Sequence, residues 1–339
     1  MALRFGLVGL GYHGYGAVLP AFYLPETKGI ELVAVCDGRQ ERLDLVDKPV
    51  EKYTSLEDML ASADIDAVYL AAGMDYHCQL AIAALKAGKH VLCEKPMGRN
   101  AEECRLMTET AKACGRLLAI NFETRYSEKN AILRRWIAEG RLGDIGAIHF
   151  NNLWDCHKSF SASKDRRARL LSLAGALDCG IHKLDQARYL LGGNWKAVEA
   201  VGAWLGEPCT PPPHIGIIGT LDNGVMVTLN ASLAFTANIE PRTFVDNLYI
   251  AGTEGVVIVN GDLLGHSAEM ELSSRTLSEK RTISENGHTS DIALILTEIA
   301  EYVANGMTGP HTFATGEDGY QAQLATDLAN TSAENRRIR

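Results

Sequence analysis

The sequence predicts an α/β chain in two parts. Residues 1–122 read as a doubly wound parallel sheet, and residues 123–339 as an α+β domain with a large, mostly antiparallel open sheet. Three observations predict this. Short apolar runs alternate with helical stretches through the first half. A glycine-rich turn, Gly9-Leu10-Gly11-Tyr12-His13-Gly14, follows the first run and opens a helical segment. Beyond about Asn121 the alternation gives way to strand-like runs, some parted by turn signals such as Leu221-Asp222-Asn223-Gly224.

Each element has its own signal. LRFGLVGLG is a strand by its length and glycine stop, and a helical stretch begins near His13. IELVAVCD ends a second strand at Asp37, and IDAVYLAAG a third near Gly73. In HCQLAIAALKAGK, Leu80, Ala84 and Ala87 recur at helical spacing, and Gly88 suits a C-terminal stop. KHVLC is a fourth strand. NAEECRLMTETAKACG is a helix whose start Asn100 can cap through its side-chain oxygen, and RLLAINF is a fifth strand. The second part opens with a helix near Asn130–Glu139, the run GDIGAIHFNNLWD and a helix near Gly175–Leu191. The runs AVEAVGAWL, HIGIIGTL, VMVTLNASL, NLYIAG and GVVIVNG follow, then helices near Ile292–Ala304 and Gly316–Ser332. With little helix to cover both faces of that sheet, Ala203, Ile217, Val227 and Leu229 are expected to form an apolar face buried in a homodimer or homotetramer.

Composition narrows the function. The chain has 339 residues, 46% hydrophobic and 22% charged, which is ordinary for a globular protein. A formal net charge of -9 without a dense basic block argues against nucleic acid and acidic membranes as partners. The one basic concentration, Lys164 to Arg169, reads as a solvated loop. No apolar run of membrane-spanning length appears, and the N-terminus lacks a signal-peptide cleavage pattern. The eight cysteines show no C-x-x-C spacing, so reduced thiols, no metal site and a cytoplasmic location are expected.

The glycine turn carries the first chemistry. Gly9 permits a tight turn, Gly11 lets the backbone approach a pyrophosphate, and Gly14 lets helix and strand pack closely. The helix start offers unpaired N–H groups to phosphates. Asp37, 23 residues after Gly14, stands where a carboxylate binds the adenine-side ribose, which favours NAD over NADP. Arg39 keeps NADP open, because it could stack on adenine or pair with a 2′-phosphate; a solvated arginine is the plain reading.

Residues 88–96, GKHVLCEKP, place Glu94 and Lys95 at the carboxyl end of the fourth strand, on the same edge as the glycine turn. Ligands of open parallel sheets bind beyond that edge. Pro96 restricts Lys95 to extended geometry. A lysine there can stabilise a hydroxyl as it becomes an alkoxide. In GALDCGIHKLDQARYLLGG, Asp178, His182 and Asp185 share one helical face, beside an apolar stripe of Leu177, Ile181, Leu184 and Leu191. The histidine suits general-base work with a carboxylate to orient it. By itself the segment reads better as a capped core helix with a satisfied histidine.

Taken together, GLVGLGYHG, AVCD, ALKAGKHVLCEKP, the Arg-Tyr pair after the fifth strand and LDCGIHKLDQARYLLGG resemble the Gfo/Idh/MocA family of nicotinamide-dependent oxidoreductases over nearly the whole chain. The resemblance implies an N-terminal Rossmann domain and a C-terminal domain whose open sheet serves as an oligomer interface. It implies Lys95 as catalytic lysine, with Asp178 and His182 as the substrate-binding and proton-transfer pair. Cofactor contacts would come from Gly9, Leu10, Gly11, Tyr12, His13, Gly14, Asp37, Arg39, Ala71, Ala72, His77, Glu94 and Lys95. Arg125, Tyr126, Trp154 and Arg166 or Arg167 fall where the substrate pocket is lined. One departure stands out: the third strand ends AAGMDYH, where the family has a Thr-Pro-Asn-like turn before the histidine. The expected activity is dehydrogenation of a secondary alcohol on a sugar, inositol or related polyol. The alternatives are an NAD-dependent glycoside hydrolase that oxidises only transiently, and a non-catalytic nucleotide sensor.

Overall fold

The computed structural model describes residues 2–153, 175–204, 209–233, 245–261, 267–284 and 287–337. The chain divides into two compact units. The first comprises Met1–Tyr126 and Gly287–Tyr320, the second Ser127–Asn286 and Gln321–Arg339.

The first unit holds strands β1 (Leu3–Val8), β2 (Ile30–Cys36), β3 (Glu51–Tyr53), β4 (Ala67–Leu70), β5 (His90–Glu94), β6 (Leu118–Asn121) and β15 (Ala314–Thr315). Their order is β15-β6-β5-β4-β1-β2-β3; all neighbours are parallel except the two-residue edge strand β15. Strand order therefore reverses between β1 and β4, the switch point at which such sheets open a crevice beyond their carboxyl ends.

Helices cover both faces. A π turn, Gly14–Val18, runs into α1 (Leu19–Ala21), and α2 (Gln40–Asp44) follows β2. The other helices of the N-terminal half are α3 (Leu56–Ser62), α4 (Met74–Lys86) and α5 (Ala101–Cys114). Capping explains the boundaries: Ser55 accepts the Asp58 amide, and Asn100, as expected, accepts the Glu103 amide at 2.9 Å. Gly115 ends α5 in the left-handed region, φ +59°.

Unit boundaries differ from the expected 122/123 division in two respects: the first unit runs on to Tyr126, and Gly287–Tyr320 packs with it. Counting helices in order, with α6 (Glu128–Ala138) and α7 (Ile181–Leu191) in the second unit, this segment contains α8 (His288–Ala304). Ile292, Ile295, Leu296 and Ile299 recur at helical spacing and join the same buried cluster as Phe5, Leu7, Leu32, Val35, Tyr69 and Leu92. Opening a cavity there, as Ile295→Ala would, costs about 2–5 kcal/mol.

In the second unit, β7 (Ile145–Leu153), β8 (Trp195–Ala203), β9 (His214–Leu221), β10 (Met226–Ser232), β11 (Val245–Gly252), β12 (Gly255–Gly261), β13 (Ser267–Ser274) and β14 (Ser278–Ser284) form one sheet, ordered β14-β13-β12-β11-β7-β10-β9-β8. Only the β7–β10 pair is parallel. One face packs on α6, α7 and α9 (Gly316–Asn335): Trp136, Leu184, Ala325 and Ala329 meet Phe150, Ile217, Val227, Leu229 and Ile250 in a single core. This corrects one expectation. Ile217, Val227 and Leu229 are buried by the chain's own helices. The opposite face runs, in cross-strand register, through Glu199, Ile218, Thr228, His149, Tyr249, Ile258 and Glu271. On it Val201 is 62% and Ile218 52% exposed. The sequence reading passes over β13 and β14: in β13 Ala268, Met270 and Leu272 alternate with polar residues and turn inward, a legible pattern, whereas in β14 Ile283 alone is apolar and inward, which leaves no period to read.

Candidate active site

In the first unit the glycine turn meets the ends of β2, β4 and β5. Gly9 has φ +94°, and a Cβ there would lie 2.5 Å from the Ala72 amide nitrogen; only glycine allows this approach. A Cβ on Gly14 would lie 2.0 Å from the Gly9 carbonyl oxygen, whereas one on Gly11 would meet nothing within 4 Å. The turn is thus closed against the protein at Gly9 and Gly14 and open at Gly11, as backbone approach by a phosphate requires. Tyr12 is exposed.

Asp37 follows β2 and is buried. Its Oδ2 accepts the Leu10 amide at 2.8 Å, and its Oδ1 accepts the amide and Nε of Arg39 at 3.0 and 3.2 Å. Burial raises its carboxyl, but the bonds from Arg39 and Leu10 outweigh it and hold the group below its ordinary value. Part of its work is therefore within the chain: it fastens the glycine turn to the end of β2.

The turn after β4 contains Ala71 and Ala72, with the Ala71 amide bonded to the Val8 carbonyl at 2.8 Å. His77, fully buried on α4, bridges two strand ends: Nε2 lies 3.0 Å from the Ala72 carbonyl and Nδ1 2.9 Å from the Pro96 carbonyl. The departure in this turn leaves that bridge in place. Glu94 closes β5; its Oε1 takes the Tyr69 hydroxyl and Asn121 Nδ2, each at 2.7 Å, and faces His13 Nε2 at 3.0 Å. Lys95 follows, half-buried, in a cis peptide bond to the buried Pro96. The backbone on both sides of Lys95 is thus held by side chains, Glu94 before it and His77 after it.

Arg125 and Tyr126 lie in a 3₁₀ turn, Glu123–Tyr126. Arg125 is buried, 3.5 Å from Asp318, and donates to the Thr312 and Phe313 carbonyls; the Tyr126 hydroxyl donates to Glu298. Both side chains hold the Gly287–Tyr320 segment. Trp154, Arg166 and Arg167 lie outside the described residues.

In the second unit a π turn, Ala176–Gly180, leads into α7. It packs closely on β10: a Cβ on Gly175 would lie 3.0 Å from the Ala231 carbonyl oxygen. Asp178, in the turn, is buried; His182, second in α7, is half-buried; Asp185 is fully buried. The wider turn changes the angular step before His182, which regular α-helical spacing does not foresee. Leu177, Ile181 and Leu184 are buried as expected. Sequence reading missed Lys183, whose ammonium lies 2.6 Å from Asp246, with Lys129 3.8 Å from the same carboxylate. Its partner is 63 residues away, on β11, and no local pattern announces it. Among the described residues no group of three or more His, Cys, Asp or Glu is placed to hold a metal ion. No helix among them is long and apolar enough to cross a membrane.

Residues 3–122 match the oxidoreductase family with an NAD-binding Rossmann fold, and residues 131–258 match the GFO/IDH/MocA C-terminal domain. The chain belongs to the Gfo/Idh/MocA oxidoreductase family. It is an NAD-dependent dehydrogenase, and the glycine turn and the Asp37 strand end fit that cofactor. D-glucoside 3-dehydrogenase of Escherichia coli is 26% identical, over 98% of this chain and 95% of the relative. Myo-inositol 2-dehydrogenase of Thermotoga maritima is 26% identical, over 99% and 97%. A scyllo-inositol dehydrogenase from Lactobacillus casei, solved with NAD(H) and scyllo-inositol, superimposes with a TM-score of 0.77 over 99% of this chain and 98% of that one; at 21% identity it shows the shared fold.

Proposed function

We propose that this family member oxidises a secondary alcohol of a sugar, inositol or related polyol. Relatives named as D-glucoside and myo-inositol dehydrogenases support the substrate class. The observation that carries the reading is the placement of Lys95, at the carboxyl end of β5 and held from both sides by Glu94 and His77. The cofactor, when bound, accepts the hydride. Lys95 donates a hydrogen bond to the substrate hydroxyl and stabilises the oxygen as negative charge develops. His182 accepts the hydroxyl proton, and Asp178 supports the imidazole in that role. Asp37 favours the unphosphorylated ribose of NAD, with NADP as the weaker partner. The open face of the second sheet, with Val201, Ile218, Tyr249 and Ile258 exposed, pairs copies into a homodimer or homotetramer. The protein works in the cytoplasm on a small molecule.

A panel of sugars, inositols and sugar acids, each tested with NAD and with NADP while reduced nicotinamide is followed, tests the reading. Turnover of one or more with NAD is expected; no reduced cofactor from any of them would overturn it.

A further inference from the structure

Two histidine–carboxylate pairs meet at the carboxyl edge of the parallel sheet. His13 Nε2 lies 3.0 Å from Glu94 Oε1, and His288 Nδ1 lies 3.2 Å from Glu123 Oε1. The two imidazoles face each other, centroids 4.9 Å apart and planes at 55°. The pairs join four parts of the unit: the glycine turn through His13, the strand end before Lys95 through Glu94, the 3₁₀ turn through Glu123, and the first residue of α8 through His288.

Their charges are unequal in firmness. Burial raises the Glu94 carboxyl, but His13 and the Tyr69 hydroxyl outweigh it and Glu94 is held below its ordinary value. Burial pulls the His288 imidazole down, but Glu123 and then Glu94 outweigh it, against the charge of Lys95, and His288 is raised. The groups facing His288 are Glu123 from the 3₁₀ turn, Glu94 and Lys95 from the end of β5, and His13 from the glycine turn. Asp291 is buried a turn further along α8. Tyr69 stays neutral, because burial and then Glu94 raise its phenol. Two carboxylates, one ammonium and two imidazoles therefore share this edge, and protonation of His288 adds a positive charge to it.

Oxidised and reduced nicotinamide differ by one positive charge, and a dinucleotide on this sheet lies beyond this edge. We propose that the His13–Glu94 and His288–Glu123 pairs make the preference for oxidised over reduced cofactor pH-dependent, with the oxidised form favoured while His288 is neutral and disfavoured once it is protonated. The proposal deepens the reading of the site above but rests only on cofactor binding at this edge. By linkage, the oxidised form must in turn make His288 easier to deprotonate, and the reduced form must do so less.

Calorimetric titration of the full chain with NAD and with NADH, without substrate, tests this between about pH 6 and 9. The ratio of the two dissociation constants, oxidised over reduced, is expected to rise about fivefold or more as pH falls, the scale of one charge acting across a site near the surface. His288→Gln should make the ratio flat. Glu123→Gln should move its midpoint to lower pH, and it carries the test if His288→Gln fails to give a cooperative thermal transition. A ratio that does not change with pH in the unmodified protein, or that changes identically in both variants, overturns the proposal. Because no turnover is measured, a Lys95→Ala protein with normal turnover would remove the catalytic reading and leave this one standing.

Discussion

The amide of Leu10, inside the glycine turn, donates to Asp37 Oδ2 at 2.8 Å, across 27 residues of sequence. The carboxylate expected to select the cofactor also shapes the loop that receives it. Asp37→Ala should therefore do two things. It should weaken NAD binding more than NADP binding, and it should lower stability by about 1–3 kcal/mol through the lost charge-assisted bonds. Calorimetry with both nucleotides and thermal melting separate the effects; a variant with unchanged melting would show that the Leu10 bond carries no weight.

Lys95→Ala should leave nucleotide affinity within a few-fold and lower turnover about 100-fold or more, the usual scale for electrostatic and acid–base groups. His182→Ala should behave alike. Lys95→Arg should not restore turnover, since a guanidinium is wider and holds its protons more firmly. Steady-state kinetics on the first substrate identified would decide; near-normal turnover in a folded Lys95→Ala protein ends the mechanism.

Asp246→Asn should destabilise the second unit by about 3–5 kcal/mol, because it leaves the buried Lys183 ammonium facing a neutral amide. Lys183→Met should cost less, since Lys129 still faces the Asp246 carboxylate. Chemical denaturation of both variants measures the order, and equal losses would contradict it.

Two groups at the strand edge should give opposite pH slopes. Glu94 is lowered in the fold, so its stabilisation is complete above the unfolded carboxyl range and is lost as pH falls through its folded value. His288 is raised, so its stabilisation is complete below the ordinary imidazole value and is lost as pH rises through its folded value. Against the unmodified protein, Glu94→Gln should be destabilised most at neutral pH and least in acid. His288→Gln should be destabilised most near pH 6, about half a unit below the ordinary imidazole value, and least in alkali. Melting temperatures across pH check both signs.

Ile218→Lys or Ile258→Lys, on the open face of the second sheet, should convert an oligomer to monomer while costing little in melting temperature, because neither side chain belongs to the core. Light scattering at micromolar concentration reads the outcome, and a monomeric unmodified protein would refute the interface.

Local patterns carried most of the fold. Strand runs bounded by glycine, the Asn100 cap, the glycine turn and the Glu94-Lys95-Pro96 strand end are each written within a dozen residues, so period and capping chemistry suffice to read them. Whatever depends on partners far apart in the chain was decided by tertiary structure alone. The apolar stripe of α8 is legible, but that it packs against β1 and β2 rather than the neighbouring strands follows from which buried surface is left to cover. Ile217, Val227 and Leu229 were legible as a sheet face, yet only packing showed that α6, α7 and α9 cover it. The Lys183–Asp246 pair and the His13–Glu94 and His288–Glu123 pairs are invisible in sequence for the same reason. Alternation and helical spacing record which side of an element is apolar, while a charge in a low-dielectric interior is set by whichever group the folded chain brings against it.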